Sequence, residues 1–99
     1  MLNTKQMRLI LYSKPGCHLC EGLQDKLEQV EAIDFDLEVR DITTRDDWFA
    51  AFQYEIPVLC RVRGDNQEVE EQLPRPSPRW SVLQLEQMLQ KYLVNNDSE

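Results

Sequence analysis

An almost continuous apolar run, Met7-Arg8-Leu9-Ile10-Leu11-Tyr12, stops at Ser13-Lys14-Pro15-Gly16. A strand buried on both faces reads this way, so the run is expected at the centre of a sheet. From Cys17 the period changes. Leu19, Leu23, Leu27 and Val30 recur at spacings of four, four and three, one apolar stripe of a helix from Cys17 to about Glu31. Glu21, Gln24, Asp25, Glu28 and Gln29 mostly occupy the other faces. Asp36 to Ile42 alternates instead, with Leu37 and Val39 on one side and Glu38 and Arg40 on the other. That is a half-exposed strand suited to a sheet edge.

Thr43-Thr44-Arg45-Asp46-Asp47 is a helix-start sequence, with Thr hydroxyls as caps and Asp near the positive end of the dipole. The short helix is expected to turn Trp48, Phe49 and Phe52 inward. It must finish before Pro57, because the residue preceding a proline is pushed out of the helical region. Pro57 to Val62 reads as the next strand, with the charges of Arg61 and Arg63 in solvent, Gly64-Asp65-Asn66 as a turn, and Gln67 to Gln72 as a shorter return strand. Pro74, Pro76 and Pro78 enforce a loop. The last helix runs from about Ser81 to about Leu93, opened by a Ser81–Gln84 capping box, with Val82, Leu85, Leu89, Tyr92 and Leu93 buried. Met1 to Gln6 reads as a short leader and Asn95 to Glu99 as a frayed tail. The order is β-α-β-α-β-β-α. A crossover makes the first two strands parallel, and the hairpin completes a four-stranded mixed sheet with helices on both faces.

Composition narrows the classes. The 99 residues fit one domain, here spanning 1–99 with a core of about 7–93. Hydrophobic residues at 41% and charged residues at 29% are globular values, not disordered ones. The net charge of −7 repels phosphate backbones and anionic lipid, so neither nucleic acid nor membrane is an expected partner. No segment is apolar for long enough to span a bilayer, and Leu9 to Tyr12 is too short for a signal-peptide core. A cytoplasmic monomer is expected. Three cysteines do not make a secreted disulfide framework, and in a reducing compartment a close pair is more often catalytic or metal-binding.

Cys17-His18-Leu19-Cys20 carries the chemistry. A helix start offers unpaired N–H groups and partial positive charge, which stabilise a thiolate. Cys17, at the helix end, is the expected nucleophile. Cys20, one turn inside and more buried, can attack the mixed disulfide on Cys17 and release the reduced substrate. Alternatively, Cys-x-x-Cys is half of a zinc or iron–sulfur set, which two chains could complete in a dimer. Neither His18, the single histidine, nor Cys60, in a buried strand, supplies the other half within one chain. No metal ligand set is therefore assigned. A protonated His18 beside Cys17 would favour the thiolate; equally, it is a solvent-facing residue of the first turn. Lys14 is either an attractor of an anionic substrate or an ordinary loop lysine. Pro57 opens a strand after a short helix, where the Ile56–Pro57 bond can be cis. Ile56 would then present its N–H and C=O beside the dithiol, for an extended substrate to pair with.

The strand, Ser13-Lys14-Pro15-Gly16-Cys17-His18-Leu19-Cys20, the helix and then Ile56-Pro57-Val58-Leu59 resemble the glutaredoxin-like branch of the thioredoxin superfamily, over about Met7 to Leu93. The resemblance implies a thioredoxin-like fold. It makes Cys17 the nucleophile, Cys20 the resolving cysteine, Pro57 the cis-proline and Lys14 a glutathione-binding lysine. It implies a dithiol–disulfide oxidoreductase with no bound cofactor. Its substrate would be a disulfide-bearing protein or a glutathione mixed disulfide, and a thiol reductant would serve as electron donor. The sequence departs from glutaredoxins in two places. His-Leu stands where they usually carry Pro-Tyr, and Leu73-Pro74-Arg75-Pro76-Ser77 stands where Gly-Gly and Asp hold glutathione. Glutathione as co-substrate stays open on that account, with Arg75 or Arg79 as possible anion contacts. A peptide-binding domain that keeps the fold without catalysis is the remaining alternative.

Overall fold

A computed structural model describes residues 7–63 and 69–94. Its elements are β1 (Arg8–Ser13), α1 (His18–Glu28), β2 (Asp36–Asp41), a 3-10 turn (Ile42–Thr44), α2 (Asp46–Phe52), β3 (Val58–Arg63), β4 (Val69–Gln72), α3 (Val82–Leu89) and a wider π-type turn (Gln90–Val94). The apolar run of β1 sits inside the sheet as its pattern requires. β1 pairs in parallel with β2 and antiparallel with β3, and β4 pairs antiparallel with β3, giving the order β2-β1-β3-β4.

The two-residue period of β1 splits the core in two. Leu9 and Leu11 face Leu23 and Leu27 of α1 and Leu85 and Leu89 of α3. Ile10 and Tyr12 face the other way, into Ile42, Val58 and Cys60, with Trp48 and Phe52 of α2 packed against them. Two helices on one face of a four-stranded mixed sheet and one on the other make this a thioredoxin-like fold. The Ser81–Gln84 capping box is formed, each backbone N–H being bonded by the other's side chain. The expected leader (Met1–Gln6), the hairpin turn Gly64-Asp65-Asn66, the first two residues of the return strand (Gln67 and Glu68) and the tail (Asn95–Glu99) lie outside the described residues. Among the described residues no helix is long and apolar enough to cross a membrane.

Several local expectations are corrected. Helix α1 ends at Glu28, earlier than Glu31, and Leu19 in its first turn is 56% exposed. The buried face is Cys20, Leu23 and Leu27, and Leu19, one residue or about 100° round the helix from Cys20, falls outside it. Helix α2 begins after Arg45 with no threonine or other side-chain cap, and the side-chain cap sits earlier, on Asp41. Its carboxylate accepts from the Thr43 N–H (2.9 Å) and hydroxyl (2.6 Å), forming the 3-10 turn before α2. Phe49 stays 38% exposed, since a helix of seven residues offers the sheet only Trp48 and Phe52. Val82 is only half-buried, and α3 gives way to the π-type turn after Leu89.

The charged positions of β2 and β3 are not simply solvated. Arg40 donates to Glu38 (2.6 Å), Glu70 (3.0 Å) and the Tyr12 hydroxyl (2.9 Å), and its guanidinium lies 5.1 Å from the Trp48 ring centroid. Arg61 donates to Glu71 (2.7 Å) and to the Tyr92 carbonyl. Long arginine stems cover the sheet and carry their charge to carboxylates on neighbouring elements. On β2 the apolar side is the less regular one: Val39 remains exposed at the sheet edge.

This second core face predicts alkaline sensitivity. Burial, then donation to Glu70, pushes the Tyr12 hydroxyl up from 10.0 to about 12. Burial, then the Glu70 charge, pushes the Cys60 thiol up from 9.0 to about 11. Both groups stay neutral in the fold at pH values where the unfolded chain has ionised them. Their contribution is full below about pH 9 and is lost as pH rises through the folded values. The urea midpoint is expected to be flat from neutral pH to about 8.5 and to fall between about 9 and 12. A midpoint unchanged at pH 11 would contradict this account.

Candidate active site

Local sequence places the cysteine pair. Pro15 fixes its own φ, and Gly16 adopts φ +83°, a left-handed conformation that disfavours any side chain. Pro followed by Gly in these positions makes a type II turn, closed by the Cys17 N–H donating to the Lys14 carbonyl at 3.3 Å. The turn delivers Cys17 to the N-cap of α1 with extended backbone, φ −89° and ψ 103°. There its Sγ accepts the otherwise unpaired N–H of Cys20 at 3.2 Å. The two sulfurs are joined as a disulfide, with Cα atoms 5.2 Å apart. The pair is asymmetric. Cys17 is half-buried, whereas Cys20 is 0% exposed.

Cys60 stays outside this site. In β3, Leu59 faces α1 and α3, so its neighbour Cys60 faces α2 on the other side of the sheet. Among the described residues no group of three or more His, Cys, Asp or Glu side chains is placed to hold a metal ion.

The remaining candidates divide. His18 and Pro57 line one pocket, which also takes in Leu19, Gly22, Lys26, Arg75 and Trp80. The Ile56–Pro57 bond is cis, as the sequence reading allowed. His18 projects into solvent with Nδ1 3.8 Å from a Glu21 carboxylate oxygen. Lys14 is exposed in the turn and does not line the pocket.

Ile56 differs from expectation. Its side chain packs against the α2 face, its N–H donates to the Phe52 carbonyl at 3.1 Å, and its carbonyl accepts from Arg75 Nη2 at 2.9 Å. Both backbone groups that an added substrate strand would use are engaged within the chain. The N–H is taken because α2 closes with a last turn directly before Pro57.

Arg75 is the residue that sequence reasoning placed least well. The same guanidinium nitrogen also donates to the Glu55 carbonyl. Arg75 thereby ties the loop after β4 to the turn that precedes Pro57. Lys26, in the last turn of α1, donates to the Pro78 carbonyl at 2.8 Å and holds the far end of that loop. The signal was the proline spacing: Pro74, Pro76 and Pro78 keep the segment extended, so it runs back across α1. Nothing in a single sequence names the carbonyls it meets there.

No curated protein matches the chain. The family model described as Glutaredoxin-like domain (DUF836) matches residues 8–90, which spans every strand and helix around the cysteine pair. With a paired Cys17 and Cys20 at the start of α1 in a thioredoxin-like fold, the chain belongs to the glutaredoxin-like domain family.

Proposed function

We propose that this protein is a dithiol–disulfide oxidoreductase acting in the cytoplasm as a monomer. One observation carries the reading: an accessible Cys17 caps α1 while its partner Cys20 lies fully buried one turn inside. On reduction, the N–H that now meets the Cys17 sulfur would meet a thiolate, the form that attacks disulfides.

The steps balance without a cofactor. The Cys17 thiolate attacks one sulfur of the substrate, forming a mixed disulfide and releasing the other sulfur as a thiolate that takes a proton. Cys20 then loses its proton and attacks Cys17 Sγ. That step breaks the mixed disulfide and closes the Cys17–Cys20 bond. The substrate gains two electrons and two protons; the protein loses both. A thiol reductant resets the pair by the reverse exchange. His18 and Pro57 flank the approach, and Lys14 adds positive charge beside it. Ile56 contributes through its place before Pro57 rather than through open backbone groups. Glutathione enters this scheme as a co-substrate, either as the reductant or as half of the mixed disulfide.

The direct test is equilibration of the full-length chain against thiol–disulfide buffers, with the oxidised fraction read by thiol-specific mass tagging. A reversible two-electron transition is expected, with a midpoint roughly between −270 and −200 mV, the range between thioredoxin and glutaredoxins. A pair that never exchanges with either a dithiol or glutathione would overturn the reading.

A further inference from the structure

The pocket beside the dithiol has a chemistry of its own. Its floor and walls are apolar: Leu19 and Leu23 of α1, Pro57, Pro76, Trp80 and Leu85. Its volume is about 130 Å³, close to the roughly 150 Å³ of an apolar cavity known to accept benzene. That space suits one bulky apolar side chain. Leu19 and His18, which line this opening, lie between the two cysteines in the chain, so the opening adjoins the dithiol.

The rim is charged, and the charge is not neutralised. Elsewhere among the described residues, Arg8, Arg40, Arg45 and Arg61 each sit against a carboxylate. Lys26 and Arg75 do not. Their described partners are backbone carbonyls of Pro78, Glu55 and Ile56, which orient a cation without cancelling it. Arginine carries five N–H donors, so Arg75 keeps further donors for a ligand. Exposed Lys14 adds a third cation near the pair. In a chain of net charge −7, a local cluster of unpaired cations is a selective feature.

We propose that this pocket sets substrate choice for the dithiol, an inference that rests on the oxidoreductase reading. It takes a bulky apolar side chain next to the cysteine of a disulfide-bearing protein, and a nearby substrate carboxylate meets Lys26 and Arg75. The engaged Ile56 backbone fits this scheme, because recognition then passes through side chains rather than an added strand. Glutathione supplies carboxylates but no bulky apolar group, so it leaves the floor of the pocket unfilled.

The test uses the reduced full-length chain in single-turnover reactions. Its probes are disulfides of the capped peptides Asp-Leu-Cys and Cys-Leu-Asp, their polar counterparts Asn-Ser-Cys and Cys-Ser-Asn, glutathione disulfide, and 2-hydroxyethyl disulfide as reference. After division by the reference rate, at least one Leu/Asp peptide is expected to exceed its counterpart by about tenfold or more, the usual scale for a filled apolar pocket. Gly22→Leu blocks the space from within α1, where an added Cβ meets no atom within 4 Å. It is expected to cut that preference to below about threefold. Lys26→Gln is expected to lower the same preference for Leu/Asp over Ser/Asn peptides, while the remote Lys91→Gln leaves it unchanged. A wild-type chain with no preference, a preference that survives Gly22→Leu, or glutathione disulfide as the fastest substrate would overturn the pocket proposal alone. Failure of the wild type to react with 2-hydroxyethyl disulfide would overturn the oxidoreductase reading, and the pocket proposal with it.

Discussion

Replacing Cys17 by serine is expected to lower disulfide reduction by about 10³-fold or more, the scale seen when an enzyme loses its nucleophile. The loss is chemical, not structural. Serine is among the best N-cap residues, so its hydroxyl can accept the Cys20 N–H that Cys17 Sγ accepts now. Helix α1 keeps its start while the site loses its thiolate. Cys20→Ser has a different expected outcome. Cys17 still attacks, but nothing resolves the product, so a one-to-one mixed disulfide accumulates and shows as a mass increase. The buried third cysteine supplies the control. Burial, then the charge of Glu70, pushes the Cys60 thiol up to about 11, and it lies on the opposite face of the sheet. Cys60→Ala is expected to leave turnover intact, and iodoacetamide at neutral pH should label Cys17 long before Cys60. Retained turnover in Cys17→Ser would show that the pair is not the reacting centre.

The parts of this fold that were legible in the sequence are those decided by local chemistry. Pro15-Gly16 sets its turn locally, and the almost continuous apolar run of β1 suits a central strand. The Ser81–Gln84 capping box closes within one helical turn. What was not legible depends on the distance between elements. Leu19 continues an apolar stripe, yet the buried face of α1 passes through Cys20 instead, so Leu19 lines a pocket and not the core. Arg40 and Arg61 read as solvent-facing strand positions, but Glu70 and Glu71 on β4 and the ring of Trp48 come within their reach. The cysteine pair belongs to the first class, which is why it stood out at once. The pocket beside it belongs to the second. Arg75 and Trp80 reach it only because three prolines carry the chain back across α1.

Leu11→Ala is expected to cost about 3–5 kcal/mol, the upper range for a large-to-small change in a core that cannot collapse around the gap. Leu11 is 0% exposed and sits on the strand that is bonded to neighbours on both sides. Its register partners are Val39 of β2 and Leu59 of β3, and its face packs α1 and α3. A strand fixed on both edges cannot slide to refill a cavity. Set against a total of about 5–15 kcal/mol for a small domain, this loss is a large fraction of the whole. At about 4–8 °C per kcal/mol, the melting temperature should fall by more than about 12 °C. Leu19→Ala removes the same atoms from a residue that is 56% exposed, and its expected cost stays within about 0.5 kcal/mol. The two leucines therefore separate two properties. The first change is read in the urea midpoint, the second in the preference for peptides that fill the pocket. A similar loss of stability from both would mean that Leu19 belongs to the core and that the pocket is not open as described.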